Sequence, residues 1–282
     1  MPLAAQTFPT ENAVIRQIWQ QGMVESQAAR LAQVLLDSVG PRLTGSPGQK
    51  SAHDWAVKMY TSWGISARNE QYGTWTGWRR GITHLDLIAP RVRSLEAMML
   101  AWSPGTSGRV EGPVVQFPDV QTAQEFTAWL PQARGKFILW DNAEPTCRPD
   151  RQWEEFGAGA GGGRGGGGGR GGGAGQAPQG SMARMQAARA ASDQAWQQRL
   201  QRAAAAAAGQ GGGGVAQLRT RLEEAGALGI LQSNWSNDYG VNKIFASNTR
   251  RIPSVDVSCE DYGLLFRLAE NNQGPRVRLE AE

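Results

Sequence analysis

The chain has 282 residues, 37 of them glycine, with 29 Lys+Arg against 25 Asp+Glu and a pI near 9.4. The length allows about two domains. No apolar run approaches the ~20 residues of a membrane helix, and two cysteines are too few for a disulfide scaffold or a cysteine-built zinc site.

The positive charge is local. Residues 157–214 hold 20 of the glycines and six arginines (164, 170, 184, 189, 199 and 202) against one acid, Asp193. The other 224 residues carry 23 basic and 24 acidic side chains and an ordinary 17 glycines. The framework is therefore nearly neutral, and any nucleic-acid reading rests on the insert alone. No charged n-region or apolar h-region marks an intact signal peptide, although Met1-Pro-Leu-Ala-Ala-Gln6 fits the small-residue tail of one.

In chain order, residues 25–39 place Ala28, Leu31, Val34, Leu35 and Val39 at helical spacing. Gly40-Pro41 stops that helix. Ser46 then caps a second helix, with Pro47 at its first position and Gln49 completing a capping box. Its apolar face is Ala52, Trp55, Ala56, Met59 and Trp63, and Gly64 closes it. Strands are predicted over 82–89 and 95–102, the second so apolar that it reads as central.

Glycines and prolines between Pro104 and Pro113 mark a boundary. A strand over 113–117 follows, then a short helix with Thr122 and Glu125 as capping box, then a buried strand over 135–140. Residues 147–156 read as irregular. In 157–175, 14 of 19 residues are glycine, which cannot bury a core and predicts disorder. Residues 181–208 have helical propensity but no broad apolar face. Regular structure resumes with a helix carrying Val215, Leu218, Leu222 and Ala225 and ending at Gly226. Strands are predicted over 228–231 and 252–257, a helix capped by Ser258 carries Leu264, Leu265 and Leu268, and a last strand holds Val277 and Leu279.

Two patches carry a family resemblance. Gly40-Pro-Arg-Leu-Thr-Gly-Ser46, Ala52-His-Asp-Trp55 and Trp63-Gly-Ile65 resemble the N-terminal part of the co-catalytic zinc exopeptidases, the aminopeptidases and glutamate- or Q-type carboxypeptidases. Gly135-Lys-Phe-Ile-Leu139, Glu224-Ala-Gly-Ala-Leu-Gly-Ile230 and Ile252-Pro-Ser-Val255 resemble the protease-associated (PA) domain that such enzymes carry as an insert. The resemblance implies an α/β chain in two parts. Residues 11–105 would be an incomplete N-terminal lobe of the peptidase domain. Residues 106–282 would be a PA-like α+β domain, interrupted at 157–214 by a disordered low-complexity insert.

It further implies a secreted or periplasmic enzyme that hydrolyses peptides, with a homodimer as one arrangement and no membrane or nucleic-acid partner. In the family two zinc ions bridged by a water do the chemistry. Their His and carboxylate ligands, beginning with a His-x-Asp pair, follow the PA domain. The implied metal centre therefore lies beyond residue 282, and the resemblance assigns no catalytic residue and no cofactor to this chain. Arg42, Thr44 and Ser46 correspond to the rim of the substrate cleft. Cys147 and Cys259 both follow strands of the PA-like part, which brings them close enough for a disulfide.

Other candidates have plainer readings. His84 and Asp86 share a strand face, as a ligand pair would, but they precede the PA-like part and read as strand-end polar contacts. His53 and Asp54 diverge on a helix and read as surface contacts. The Gly40–Gly48 loop lacks the Gly-Lys-Ser/Thr of a phosphate loop. Trp75-Thr-Gly-Trp78-Arg-Arg80 reads as packing rather than as a binding surface. Asn234-Trp-Ser236 matches a glycosylation sequon, a triplet common by chance. The tract 161–173 is similar to RNA-binding RGG segments but has two arginines and no aromatic. That leaves a stand-alone PA-type interaction module and RNA binding through the insert as alternatives to the peptidase reading.

Overall fold

A computed structural model describes residues 10–149, 152, 179–207, 214–241 and 247–282. The chain divides into two compact units, Met1–Arg79 and Arg80–Glu282. The tract 157–175, expected to be disordered, lies outside the described residues.

The first unit is helical. Helix α1 (Ala13–Trp19) starts at Asn12, whose side chain accepts from the N–H groups of Val14 and Ile15. Helix α2 (Ala28–Gln33) continues as a π-type stretch to Val39 and stops before Gly40. Helix α3 (Pro47–Ser62) is capped by Ser46 Oγ, 3.2 Å from the N–H of Gln49. Ala52 is the one buried residue among those described in this unit. Val14, Ile18, Met23, Val24, Leu36, Trp63 and Tyr72 are all exposed.

The second unit is an eight-stranded mixed sheet. Its strands are β1 (Thr83–Ala89), β2 (Arg93–Leu95), β3 (Ala97–Met99), β4 (Val110–Gln116), β5 (Phe137–Leu139), β6 (Gly229–Gln232), β7 (Ser254–Val257) and β8 (Arg276–Ala281). Their order is β2-β1-β8-β4-β5-β6-β7-β3. Strands β4 to β7 run parallel, and the remaining pairings are antiparallel. Strand β4 serves both halves. Val110–Pro113 pair with β8 on one side, and Val114–Gln116 pair with β5 on the other. Phe137, Ile138 and Leu139 are fully buried, as a parallel strand covered on both faces requires. The unit begins and ends at one place: Gly81 N–H donates to the Glu282 carbonyl at 2.7 Å, and Glu282 N–H to the Ile82 carbonyl at 3.0 Å.

The remaining helices are α4 (Ala123–Trp129), α5 (Gln179–Ala207), α6 (Val215–Ala225) and α7 (Cys259–Glu270). Helix α5 packs against α4 and α6, and α7 packs against β4.

Three sequence expectations change. The apolar run 95–102 is not central: it is split, with β2 at one end of the strand order and β3 at the other. Strands β1 to β3 also belong to the second unit's sheet rather than to a lobe reaching residue 105, because β1 pairs with β8 and β3 with β7. Residues 179–207, within the insert expected to be disordered, form a 29-residue helix, in line with the helical propensity of 181–208. Trp196, Leu200 and Ala203, at spacings of four and three, give α5 a narrow buried stripe. The guanidinium groups of Arg189 and Arg199 lie over the rings of Trp235 and Trp196 at 4.6 and 4.5 Å.

The crossing from β2 to β3 is held by Asp261 on α7. Its Oδ1 accepts from Arg93 Nη2 at 2.6 Å and its Oδ2 from the Glu96 N–H at 2.7 Å. The Glu96 carbonyl in turn accepts from Ser258 N–H. Replacing Asp261 takes the acceptor from a backbone N–H and an arginine together. Asp261→Asn should therefore cost about 2 kcal/mol, and Arg93→Ala less, because the Arg93 side chain keeps 44% of its exposure. Chemical denaturation of the two variants checks that order.

Candidate functional site

The carboxyl ends of β4 to β7 meet at one edge of the sheet, where open α/β sheets bind ligands. A polar cluster is built there. Trp140, just after β5, is buried, with Phe117 at 5.3 Å and the Arg219 guanidinium over its ring at 4.5 Å. Asp141 follows it, and its Oδ2 accepts from the Ser233 N–H at 2.8 Å. The Tyr262 hydroxyl donates to the Asp141 carbonyl at 2.6 Å and accepts from its N–H at 2.8 Å. Asp256 of β7 accepts from the N–H and Nδ2 of Asn234 at 2.7 and 2.9 Å. That contact occupies the sequon asparagine.

Electrostatics follow from this packing. Desolvation raises the Asp141 carboxyl to about 6, against the opposing pull of the Ser233 N–H and Arg219. Burial likewise lifts Tyr262 well above the ordinary phenol range and lowers Arg219 and Arg199. The cluster combines a buried carboxyl pushed up to about 6 with fixed hydrogen-bond donors. Such an arrangement can hold and release one proton.

Nearby, Glu223 of α6 fastens the approach to β7. One oxygen, Oε1, accepts from three successive backbone donors, Arg250, Arg251 and Ile252, at 2.6, 2.8 and 3.4 Å. Neither Asp141 nor Glu223 was singled out in the sequence. The available signal was an acid directly after, or facing, an apolar strand.

The residues that were singled out lie elsewhere. Arg42 donates from Nη1 to the carbonyls of Leu35 and Gly40 at 2.8 and 2.6 Å, so it closes the end of the helix before it. Ser46 caps α3, and Gln49 accepts from the Gly45 N–H, one residue earlier than a standard capping box. Thr44 is exposed on the same loop. The loop is tight: a Cβ on Gly48 would meet the Pro41 carbonyl oxygen at 2.1 Å, and one on Gly45 would meet the Trp75 Cβ at 2.5 Å. Trp75 itself is exposed.

His84 and Asp86 lie on the outer face of β1. With Arg109, Arg278 and Glu280 they line a shallow depression of about 260 Å³. Register sets His84 opposite Glu280 and Asp86 opposite Arg278. Arg278 pairs with Glu111 at 2.6 Å, Arg109 with Glu280 at 3.5 Å, and Asp86 accepts from Ser94 at 3.0 Å. This is a cross-strand charge ladder on a solvated face. His53 is exposed, and Asp54 bonds Lys50 and Asn69.

The described residues do not fit a co-catalytic zinc pair. Among them no group of three or more His, Cys, Asp or Glu is placed to hold a metal ion. The two histidines lie in different units.

Cys147 and Cys259 are bonded, with Cα atoms 5.7 Å apart and 112 residues between them. The bond ties the segment after β5 to the first turn of α7. The arginines of α5 are engaged within the fold: Arg189 with Glu144 at 3.4 Å, Arg199 with the Phe117 carbonyl, and Arg202 with Asp119 at 2.8 Å. The tract 161–173 lies outside the described residues.

No family model matches the sequence, and no curated protein matches it. Solved structures do. A peptidase M28 precursor from Shewanella amazonensis is 22% identical, with a TM-score of 0.51 over 95% of this chain and 49% of that chain. A zinc aminopeptidase from Bacillus subtilis is 13% identical, with a TM-score of 0.43 over 91% of this chain and 43% of that one. An aminopeptidase from Aneurinibacillus sp. strain AM-1 is 12% identical, with a TM-score of 0.36 over 94% and 45%. The chain thus spans about half the length of the solved structures it matches. The first likeness gives it an α/β peptidase-like fold, shared with the peptidase M28 precursor.

Closing a loop of this length restricts the unfolded chain by about 4–5 kcal/mol. Reduction, or the pair Cys147→Ser and Cys259→Ser, should lower the denaturation midpoint strongly. Parallel oxidised and reduced unfolding curves measure the difference.

Proposed function

We propose that this chain is the N-terminal lobe and PA-type domain of a zinc-dependent exopeptidase, an aminopeptidase or carboxypeptidase acting on peptides. The observation that carries this reading is the fold shared with the peptidase M28 precursor along 95% of the chain. The exposed apolar side chains of residues 10–79 support it, because a lobe with one buried residue has faces to give to a larger domain. In this reading the loop bearing Arg42, Thr44 and Ser46 forms part of the substrate-cleft rim. The two zinc ions are held by residues outside those described. The enzyme works in a secreted or periplasmic setting, which the Cys147–Cys259 bond supports. A homodimer is part of the same proposal.

A second reading is a PA-type protein-interaction module without catalysis. It is favoured by the second unit, which holds all the buried apolar residues described except Ala52.

Purified residues 1–282, supplied with zinc, should leave aminoacyl and peptidyl chromogenic substrates intact. A native gene product containing this chain should hydrolyse them, and a chelator should stop it. Chelator-sensitive turnover by residues 1–282 alone would overturn the placement of the metal centre. A native product without peptidase activity would favour the interaction module.

A further inference from the structure

Residues 141–149, which follow β5, have no regular secondary structure and are held by two helices. Helix α5 grips them through three side chains. Asn142 Nδ2 donates to Ser192 Oγ, and Glu144 pairs with Arg189 Nε at 3.4 Å. Arg189 Nη2 donates to the carbonyls of Thr146 and Arg148 at 3.2 and 3.3 Å. Those two carbonyls flank Cys147. Helix α7 holds the same segment at two points. The Tyr262 hydroxyl is bonded to the N–H and carbonyl of Asp141, and Cys259 is bonded to Cys147.

The two halves of α5 rest on this segment unequally. Between 183 and 192 the one buried residue is Arg189. Its acceptors lie on either side of Cys147, and its guanidinium covers the Trp235 ring at 4.6 Å. The second half has an apolar seat of its own. Trp196, Leu200, Ala203 and Ala204 are buried, Trp196 Nε1 donates to the Trp140 carbonyl at 2.9 Å, and Arg202 pairs with Asp119 at 2.8 Å.

We propose that the Cys147–Cys259 bond is a redox switch for the first half of α5. Oxidised, it holds the two carbonyls in place for Arg189. Reduced, it frees them, and residues 183–192 lift from the segment after β5 while the second half of the helix stays seated. The change uncovers part of the sheet edge where α/β folds bind ligands. It depends on no assignment of peptidase activity.

The reductant is a dithiol. Cys147 is half-buried and Cys259 is buried, so a dithiol thiolate attacks Cys147 Sγ. A mixed disulfide forms at Cys147, and Cys259 leaves as a thiolate. The second thiol of the reductant, deprotonated, attacks the reductant's own sulfur in that mixed disulfide and releases Cys147 as a thiolate. The protein gains two electrons, the dithiol becomes a disulfide, and its two protons pass to the two cysteines.

Hydrogen exchange on residues 1–282, with and without dithiothreitol, tests the switch, and maleimide labelling counts the thiols released. Dithiothreitol should open the bond in the folded chain. Exchange of 183–192 should then rise about tenfold, the net worth of one or two hydrogen bonds, at labelling times when β5, β6 and residues 196–204 are still protected. Arg189→Ala should give the same rise with the disulfide intact and add nothing once it is reduced. A bond that resists dithiothreitol without denaturant would overturn the proposal. So would exchange of 183–192 that stays unchanged on reduction or rises only together with β5 and β6, and so would an Arg189→Ala effect that is absent in the oxidised chain or equal in both states.

Discussion

One carboxylate keeps the sheet of the second unit in shape. The chain leaves β2 at one end of the strand order and enters β3 at the other, with only Glu96 between them. A backbone making that crossing gives up its ladder partners and must find others. Asp261 supplies one, taking the Glu96 N–H while it holds Arg93, and Ser258 takes the Glu96 carbonyl. Because Ser258 and Asp261 belong to the start of α7, the crossing and that helix fix each other. The sheet curls until its two ends share a single stretch of chain.

The same economy organises the opposite edge. Parallel strands bring their carboxyl ends together, and a sheet that does so exposes carbonyls and polar side chains in one place. Here those groups are taken up by α5, whose tryptophan and arginines reach the carbonyls of Phe117, Trp140, Thr146 and Arg148. The disulfide fixes the intervening segment from the far side. A helix drawn from a low-complexity sequence therefore completes the fold by satisfying backbone groups. Its apolar contribution is small, with Trp196 and Leu200 as the large buried side chains.

Much of the framework was legible. Cap residues announced themselves: Ser46 and Thr122 accept from the third residue of their helices, as their spacing implied. Short apolar runs such as 137–139 and 228–231 had one sensible reading as buried strands. What failed were features set by distant partners. The run 95–102 was apolar enough for a central strand, yet its place in the order depends on β1 and β7, which are far apart in the chain. The helicity of α5 was legible from propensity but its packing was not, because hydrophobic periodicity counts apolar residues, whereas this helix packs with arginine guanidinium groups over indole rings. Asp141 and Glu223 carried only the weak signal of an acid beside an apolar strand, since their behaviour arises from the elements packed around them. His84 and Asp86 show the converse. Their spacing suits a ligand pair, but register gives each a charged cross-strand neighbour on a wet surface.

The hydrogen bonds between Gly81, Ile82 and Glu282 make the second unit a cassette whose entry and exit coincide. A unit of this kind can be carried within a loop of a host domain without spreading that loop, because it asks the host to bridge only the width of one strand pair. Evolution can then exchange, lengthen or lose the cassette as a single piece.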